Sequence, residues 1–413
     1  RTNGLLNCAQ YSTLFSRCQQ YFQIFYIAPP KCRPAATSLE KPFAKWYYLY
    51  MKDKKKRAPV PFGEKYESLR ERQRLFHAAL KENRERRREL MKENTAQAKA
   101  KAKKLARRIS FGIKYTYAMG GRLRNEIVGM LTVYNFGRAV FLHVKRHIRF
   151  DPSDEKLYLN TYYPLGKHKG RYKVFLYIHG GGWMGGWPES REAFTTRIAT
   201  AGYFVASVYY GEAPRYAHPK MIENIYKAIG WLRDHADELD IDMESIVVSG
   251  ESAGAHLAAM AACISTNPEY AAKFNLDKRA KEQKFSATVL NCGVYDLEKV
   301  VESGFKRGGI YTQAYCGGTP VKETDEEFRK EISPIYWVNE RFPPTFAISA
   351  ENDKLALLTF DLIDKFMRLG VPYVHYHGEG RFAVHAFAIT MALKISRDAM
   401  KQIRRFLSSL QKN

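Results

Sequence analysis

The stretch VVSGESAGAHLAAM, Val247 to Met260, sets a single serine, Ser252, between Gly250 and Gly254 where an apolar run gives way to an alanine-rich one. The run SIVVSG is short and β-branched, as a buried strand requires, and the residues after Ser252 are good helix formers. A strand that turns sharply into a helix carries its serine hydroxyl at the tip of the turn. Glycines on both sides leave room where neighbouring backbones approach. A serine in this place also serves as an ordinary helix cap, and the pentapeptide GESAG alone leaves the two readings level.

The segments on either side separate them. Upstream, LYIHGGGWMGG places His179, Gly180, Gly181 and Gly182 directly after another apolar run. Consecutive glycines let backbone N–H groups crowd around the negative oxygen of a tetrahedral intermediate. No GK[ST] follows, so the loop matches neither a phosphate cradle nor a dinucleotide fingerprint. A hydroxyl nucleophile needs a base, and the base needs an acid to orient it. PTFAISAENDKL places Asp353 just past a strand, and HGEGRFAVHAFAI places His385 between a strand and a helix. Asp296 and Glu351 compete for the acid's role, and His375 and His377 for the base's. The two histidines alternate with Tyr376 along a strand, the pattern of packed side chains, so Asp353 and His385 lead.

Around these motifs strands and helices alternate. β-rich runs occur at VKRHIRF, LYLNTYYP, KVFLYIHG, YFVASVYY, SIVVSG, SATVLNCG, PTFAISA and PYVHYHG. Helical stretches fall at Pro219–Glu238, after Ser252, through LLTFDLIDKFMRLG and through FAITMALKISRDAMKQIRRFLSSL. This alternation predicts a mostly parallel sheet with helices on both faces, the first two strands forming an antiparallel hairpin.

The chain has 413 residues and a formal net charge of +25, much of it local, since Met51–Ser110 holds 21 Lys or Arg against 8 Asp or Glu. Residues 51–108 read as a long basic polar helix, with a surface suited to weak attraction to anionic membrane. No aromatic or groove-reading motif accompanies the charge, which sets nucleic acid aside as a partner. Residues 1–50 stay unassigned, a disordered or tag-like segment, and Met51 resembles a natural start better than Arg1. Residues 109–144 are expected to form a helical, cap-like segment, followed by a catalytic domain over 145–413. The six cysteines form no tight metal-ligand pair and no dense disulfide framework, and are read as free thiols. No apolar run reaches the length of a spanning helix. The expectation is a cytoplasmic protein, peripheral to a membrane at most, with no metal and no organic cofactor; its oligomeric state is left open.

HGGGW (His179–Trp183), GESAGAHLA (Gly250–Ala258), ENDKL around Asp353 and VHAF around His385 together resemble the α/β-hydrolase fold, in the group of hormone-sensitive-lipase-like carboxylesterases, BD-FAE-type esterases and kynurenine formamidases. The resemblance runs from about Val144 to Leu410, and the order Ser252, Asp353, His385 is that of the fold. It implies an eight-stranded sheet and a serine esterase for short to medium acyl groups, working through an acyl-enzyme. Ser252 would be the nucleophile, His385 the base and Asp353 its orienting acid. The N–H groups of Gly181, Gly182 and Ala253 would bind the oxyanion, with His179 and Gly180 supporting the loop. An amidase or formamidase, or a sugar acetyl or feruloyl esterase, would use the same site. A membrane- or RNA-associated protein on a hydrolase scaffold is the non-enzymatic alternative. The chain departs from the family at VYYGEAPRYAHP (Val208–Pro219), where relatives carry a YRLAPE-like segment, and at Glu251, where aspartate is common.

Overall fold

The computed structural model describes residues 109–112, 116, 141–166 and 169–410. The segments 1–50 and 51–108 therefore lie outside the described residues, as do most of the cap-like segment and Cys8, Cys18 and Cys32. All eight expected strands are present. They are β1 (Leu142–Arg149), β2 (Tyr158–Pro164), β3 (Tyr172–Ile178), β4 (Phe204–Tyr209), β5 (Ile241–Glu251), β6 (Ala287–Asn291), β7 (Thr345–Ala350) and β8 (Tyr373–Gly378). They form one sheet in the order β1-β2-β4-β3-β5-β6-β7-β8. β2 runs antiparallel to β1 and to β4, and every other pairing is parallel.

Side chains alternate across the sheet and bury two cores. Val174, Leu176 and Ile178 of β3 join Ile246 and Val248 of β5 on one face. There they pack under α2 (Lys220–Asp234), α3 (Ala253–Thr266) and α6 (Ala356–Leu369). Phe175 and Tyr177 of β3 and Val247 of β5 point the other way, toward α1 (Glu192–Ala199) and α7 (Lys394–Ser409). Both faces being covered, the central strands read as unbroken apolar runs. Between β6 and β7 the chain makes a long excursion that includes α4 (Leu297–Glu302) and α5 (Gly308–Tyr315).

Two expectations are corrected, and one helix is new. The cap-like segment was drawn to residue 144, yet β1 already begins at Leu142, because its ladder with β2 starts at the pair Leu142 and Pro164. The last helix was drawn from Phe387, but α7 begins at Lys394. The residues before it form a short 3-10 turn at Phe387–Ile389, entered through Ala386 at φ 56°. The Ser396 hydroxyl bonds the Phe387 carbonyl and ties this turn to the helix. Helix α1 was not anticipated, because its paired threonines and weak amphipathy give little helical signal.

β3 and β5 lie side by side, with β4 on the far side of β3, so the connections diverge between them. That point of divergence opens a crevice at the carboxyl ends of the strands. Ile178 is paired with Gly250 there, and α3 starts close enough that a Cβ on Gly254 would lie 2.0 Å from the Ile178 carbonyl oxygen. Glycine at 254 is thus a packing requirement of the strand-to-helix turn. Gly254→Ala is expected to destabilise the fold by about 1–3 kcal/mol, since the clash is with rigid backbone. A urea midpoint equal to that of the wild type would contradict this.

Candidate active site

Ser252 stands at φ 55°, ψ −121° between β5 and α3. This conformation is rare for a residue with a Cβ and is stored only where the surroundings enforce it. Here the Ser252 N–H donates to the Asn291 carbonyl at the end of β6 (2.9 Å), and its own carbonyl accepts from His256 (3.0 Å). The hydroxyl is left facing the crevice. His385 Nε2 lies 2.8 Å from Ser252 Oγ, and His385 Nδ1 lies 2.8 Å from Asp353 Oδ2. An ionised carboxylate only accepts, so the imidazole proton sits on Nδ1 and Nε2 is free to take one from the serine. The Asp353 carboxylate is fully buried, and its second oxygen accepts the Leu355 N–H at 2.9 Å. The loops bearing Asp353 and His385 are laced together, since the Asn352 N–H donates to the Ala383 carbonyl at 2.8 Å.

The rivals are occupied elsewhere. Asp296 caps α4, accepting from the N–H groups of Glu298 and Lys299. Glu351 accepts the Gly380 N–H. His375 and His377 both hydrogen-bond the Ser349 hydroxyl, away from Ser252.

The glycine loop divides its donors. The Gly180 N–H is spent on Glu251 Oε1 at 2.7 Å, whereas those of Gly181, Gly182 and Ala253 have no acceptor among the described residues. Gly182 holds φ 59°, and a Cβ there would meet the Tyr311 ring at 2.7 Å, so the ring lies directly on the loop. His179 is buried and stacks on Tyr210 at 4.5 Å between centroids, and the Tyr210 hydroxyl bonds the His179 carbonyl. The departure at VYYGEAPRYAHP therefore still supplies a support for this loop. Trp183 is buried and donates its indole N–H to His256 Nδ1 at 3.1 Å, so it packs behind the loop.

Several residues here escaped sequence reasoning. Glu251 is buried, and besides Gly180 it accepts from Arg191 Nε (2.5 Å) and from the Tyr177 hydroxyl. Phe305, in the excursion after β6, tilts against the His385 ring at 4.9 Å. Cys292 packs beside Asp353 and His385. Only Glu251 carried a local signal, being next to the serine. The others are brought in by tertiary folding.

A family profile described as BD-FAE matches residues 159–359. The arylesterase of Saccharolobus solfataricus is 31% identical over 59% of this chain and 76% of its own length. Esterase LipQ of Mycobacterium tuberculosis is 27% identical over 45% of this chain and 43% of its own. This chain spans about half the length of several curated relatives it matches, LipQ among them. Among solved structures, esterase B from Lactobacillus rhamnosus superposes with a TM-score of 0.65 at 22% identity, covering 73% of this chain and 96% of that one. Among the described residues no helix is long and apolar enough to cross a membrane.

His256 provides a test of how the loop's backing is held. Burial pushes its pKa down to about 3, against the usual value near 6.5, and its Nε2 lies 2.8 Å from the Ile332 carbonyl. Between those two values the unfolded chain binds a proton that the folded one refuses. Stability therefore falls as pH drops from 6.5 toward 3, by at most about 1.4 kcal/mol per unit from this group. Urea unfolding from pH 7 to pH 4 should give a shallower slope for His256→Gln than for the wild type; parallel slopes would refute the assignment.

Proposed function

The chain belongs to the α/β-hydrolase carboxylesterase family, and we propose that it is itself a serine hydrolase of carboxylic esters with short to medium acyl groups. The observation that carries this reading is the unbroken line of hydrogen-bonded atoms from Ser252 Oγ through the His385 ring to the buried Asp353 carboxylate. A helix cap needs no such line. The ester substrate is a small molecule, and the chemistry calls on no metal or cofactor.

In this mechanism Ser252 Oγ attacks the ester carbonyl while His385 Nε2 takes its proton. The negative oxygen that forms is received by the N–H groups of Gly181, Gly182 and Ala253. Each such donor is typically worth roughly 3 kcal/mol to the transition state. Asp353 keeps the Nδ1 proton in place and stabilises the imidazolium. His385 then returns the proton to the leaving alcohol, which departs and leaves an acyl-enzyme. Water, deprotonated by the same imidazole, releases the acid and restores Ser252.

The aromatic rings of Phe305 and Tyr311 against the base and the glycine loop favour a compact acyl group over a long chain. Related esterase B has been crystallised with a tributyrin phosphonate inhibitor, a mimic of a short-chain ester.

The test is a panel of p-nitrophenyl esters from acetyl to palmitoyl, with N-formylkynurenine and acetylated xylan as alternative substrates. Turnover should peak at the short and medium esters. Ser252→Ala should lower kcat by about four to six orders of magnitude. Undiminished turnover in that variant would overturn the nucleophile, and turnover confined to N-formylkynurenine or xylan would replace the substrate class.

A further inference from the structure

The end of the sheet opposite the crevice carries a cavity of about 680 Å³. Its lining includes Phe285 and Pro343, just before β6 and β7, and Ile264 in the last turn of α3. The 14 residues of α3 separate it from Ser252, a span of about 21 Å. It is therefore no part of the candidate active site.

The lining has a charged part and an apolar part. Lys278, Lys281, Lys284 and Arg341 bring four cations to it, against one acid, Glu282. Lys281 is half-buried. Among the described residues it, Lys278 and Lys284 enter no ion pair, and Arg341 approaches its neighbour Glu340 at 3.9 Å. Ile264 and Phe285, both buried, supply apolar surface. The walls are braced from behind. The Gln283 amide, 1% exposed, donates to the Met243 and Lys284 carbonyls at 2.8 and 2.6 Å and accepts from Arg233. Asn339 donates to the Thr266 carbonyl and accepts the Arg341 N–H, both at 3.0 Å, which ties the Arg341 loop to the end of α3. The carbonyls of a helix end repel an anion. Here the Ser265 and Thr266 hydroxyls occupy that of Ala262, at 2.7 and 3.0 Å, and Asn339 that of Thr266.

We propose that this cavity binds a free amphiphilic anion, a molecule with a phosphate or carboxylate head and an apolar body. Its volume is that of a site for a small organic ligand. Four cations on braced walls complement one acidic head, and a half-buried ammonium without a partner is stabilised by an anion beside it. Inorganic phosphate would engage the cations and leave Ile264 and Phe285 uncovered. A neutral lipid would cover those two and leave the cations unpaired. The proposal is independent of the esterase reading, because the cavity and Ser252 stand at opposite ends of α3.

The test titrates decyl phosphate and decanoate, below their micelle concentrations, into the full chain by calorimetry. The crevice is closed beforehand with a fluorophosphonate, or left open if the chain does not react with one. Both anions should bind one to one, and decanol, decyltrimethylammonium and inorganic phosphate at least about tenfold more weakly. Replacing Lys278, Lys281 and Lys284 together by Gln should lower the affinity at least about tenfold, and replacement by Glu further still. Added salt should weaken the wild type more than either variant. Thermal melts and p-nitrophenyl ester turnover should match the wild type in both variants, since these lysines hold no other group. Wild-type affinity in the Gln and Glu variants would overturn the proposal. So would equal binding of decanol, which makes the site merely apolar, or of inorganic phosphate, which makes it merely charged. Binding to phosphatidylglycerol vesicles without binding of the soluble anions would overturn it in favour of a bilayer surface.

Discussion

The crevice depends on one buried carboxylate. Glu251 is covalently next to Ser252, and its side chain reaches back to Tyr177 on β3, to the Gly180 N–H and to Arg191. A run of glycines has no side chains of its own with which to hold a shape. Its conformation must be imposed from outside, and here Glu251, the residue before Ser252, holds it at Gly180. A buried charge is tolerable only when paired and hydrogen-bonded, and Arg191 and its companions provide that. Moving the carboxylate would disturb the loop and the serine together, so this one group couples their positions.

This arrangement accounts for what the sequence made legible. Ser252, the glycine loop, Asp353 and His385 each follow the carboxyl end of a strand, and a strand with a special residue just past it is a local pattern. Parallel pairing then does the rest, because strands in register bring their carboxyl ends to one edge. The order β3, β5, β6, β7, β8 along that edge brings the segments after β5, β7 and β8 together, so that His385 bonds both Ser252 and Asp353. Glu251 was noticed only as a substitution for aspartate, since its partners lie far away in sequence and belong to no motif.

The parts that were not legible fail for the same reason in reverse. Cys292 reads as one thiol among six, and only the pairing of β6 with β7 sets it beside Asp353 and His385. Tyr311 and Phe305 sit in a segment without periodic pattern, and only the folded excursion sets them on Gly182 and His385. The turn before α7 was read as helix because Phe387 to Leu393 are helix-compatible by composition. In the fold the turn after His385 overrides that preference locally, with Ala386 at positive φ.

The excursion between β6 and β7 has a consequence of another kind. Those strands are hydrogen-bonded neighbours, so their junction is fixed by the sheet whatever lies between them. The candidate site is anchored in strand ends, while Phe305 and Tyr311 hang from a detour whose length and sequence the sheet does not constrain. A protein built in this way can acquire new selectivity by rewriting the detour and leave its reaction centre untouched, which separates the evolution of what is recognised from the evolution of what is done to it.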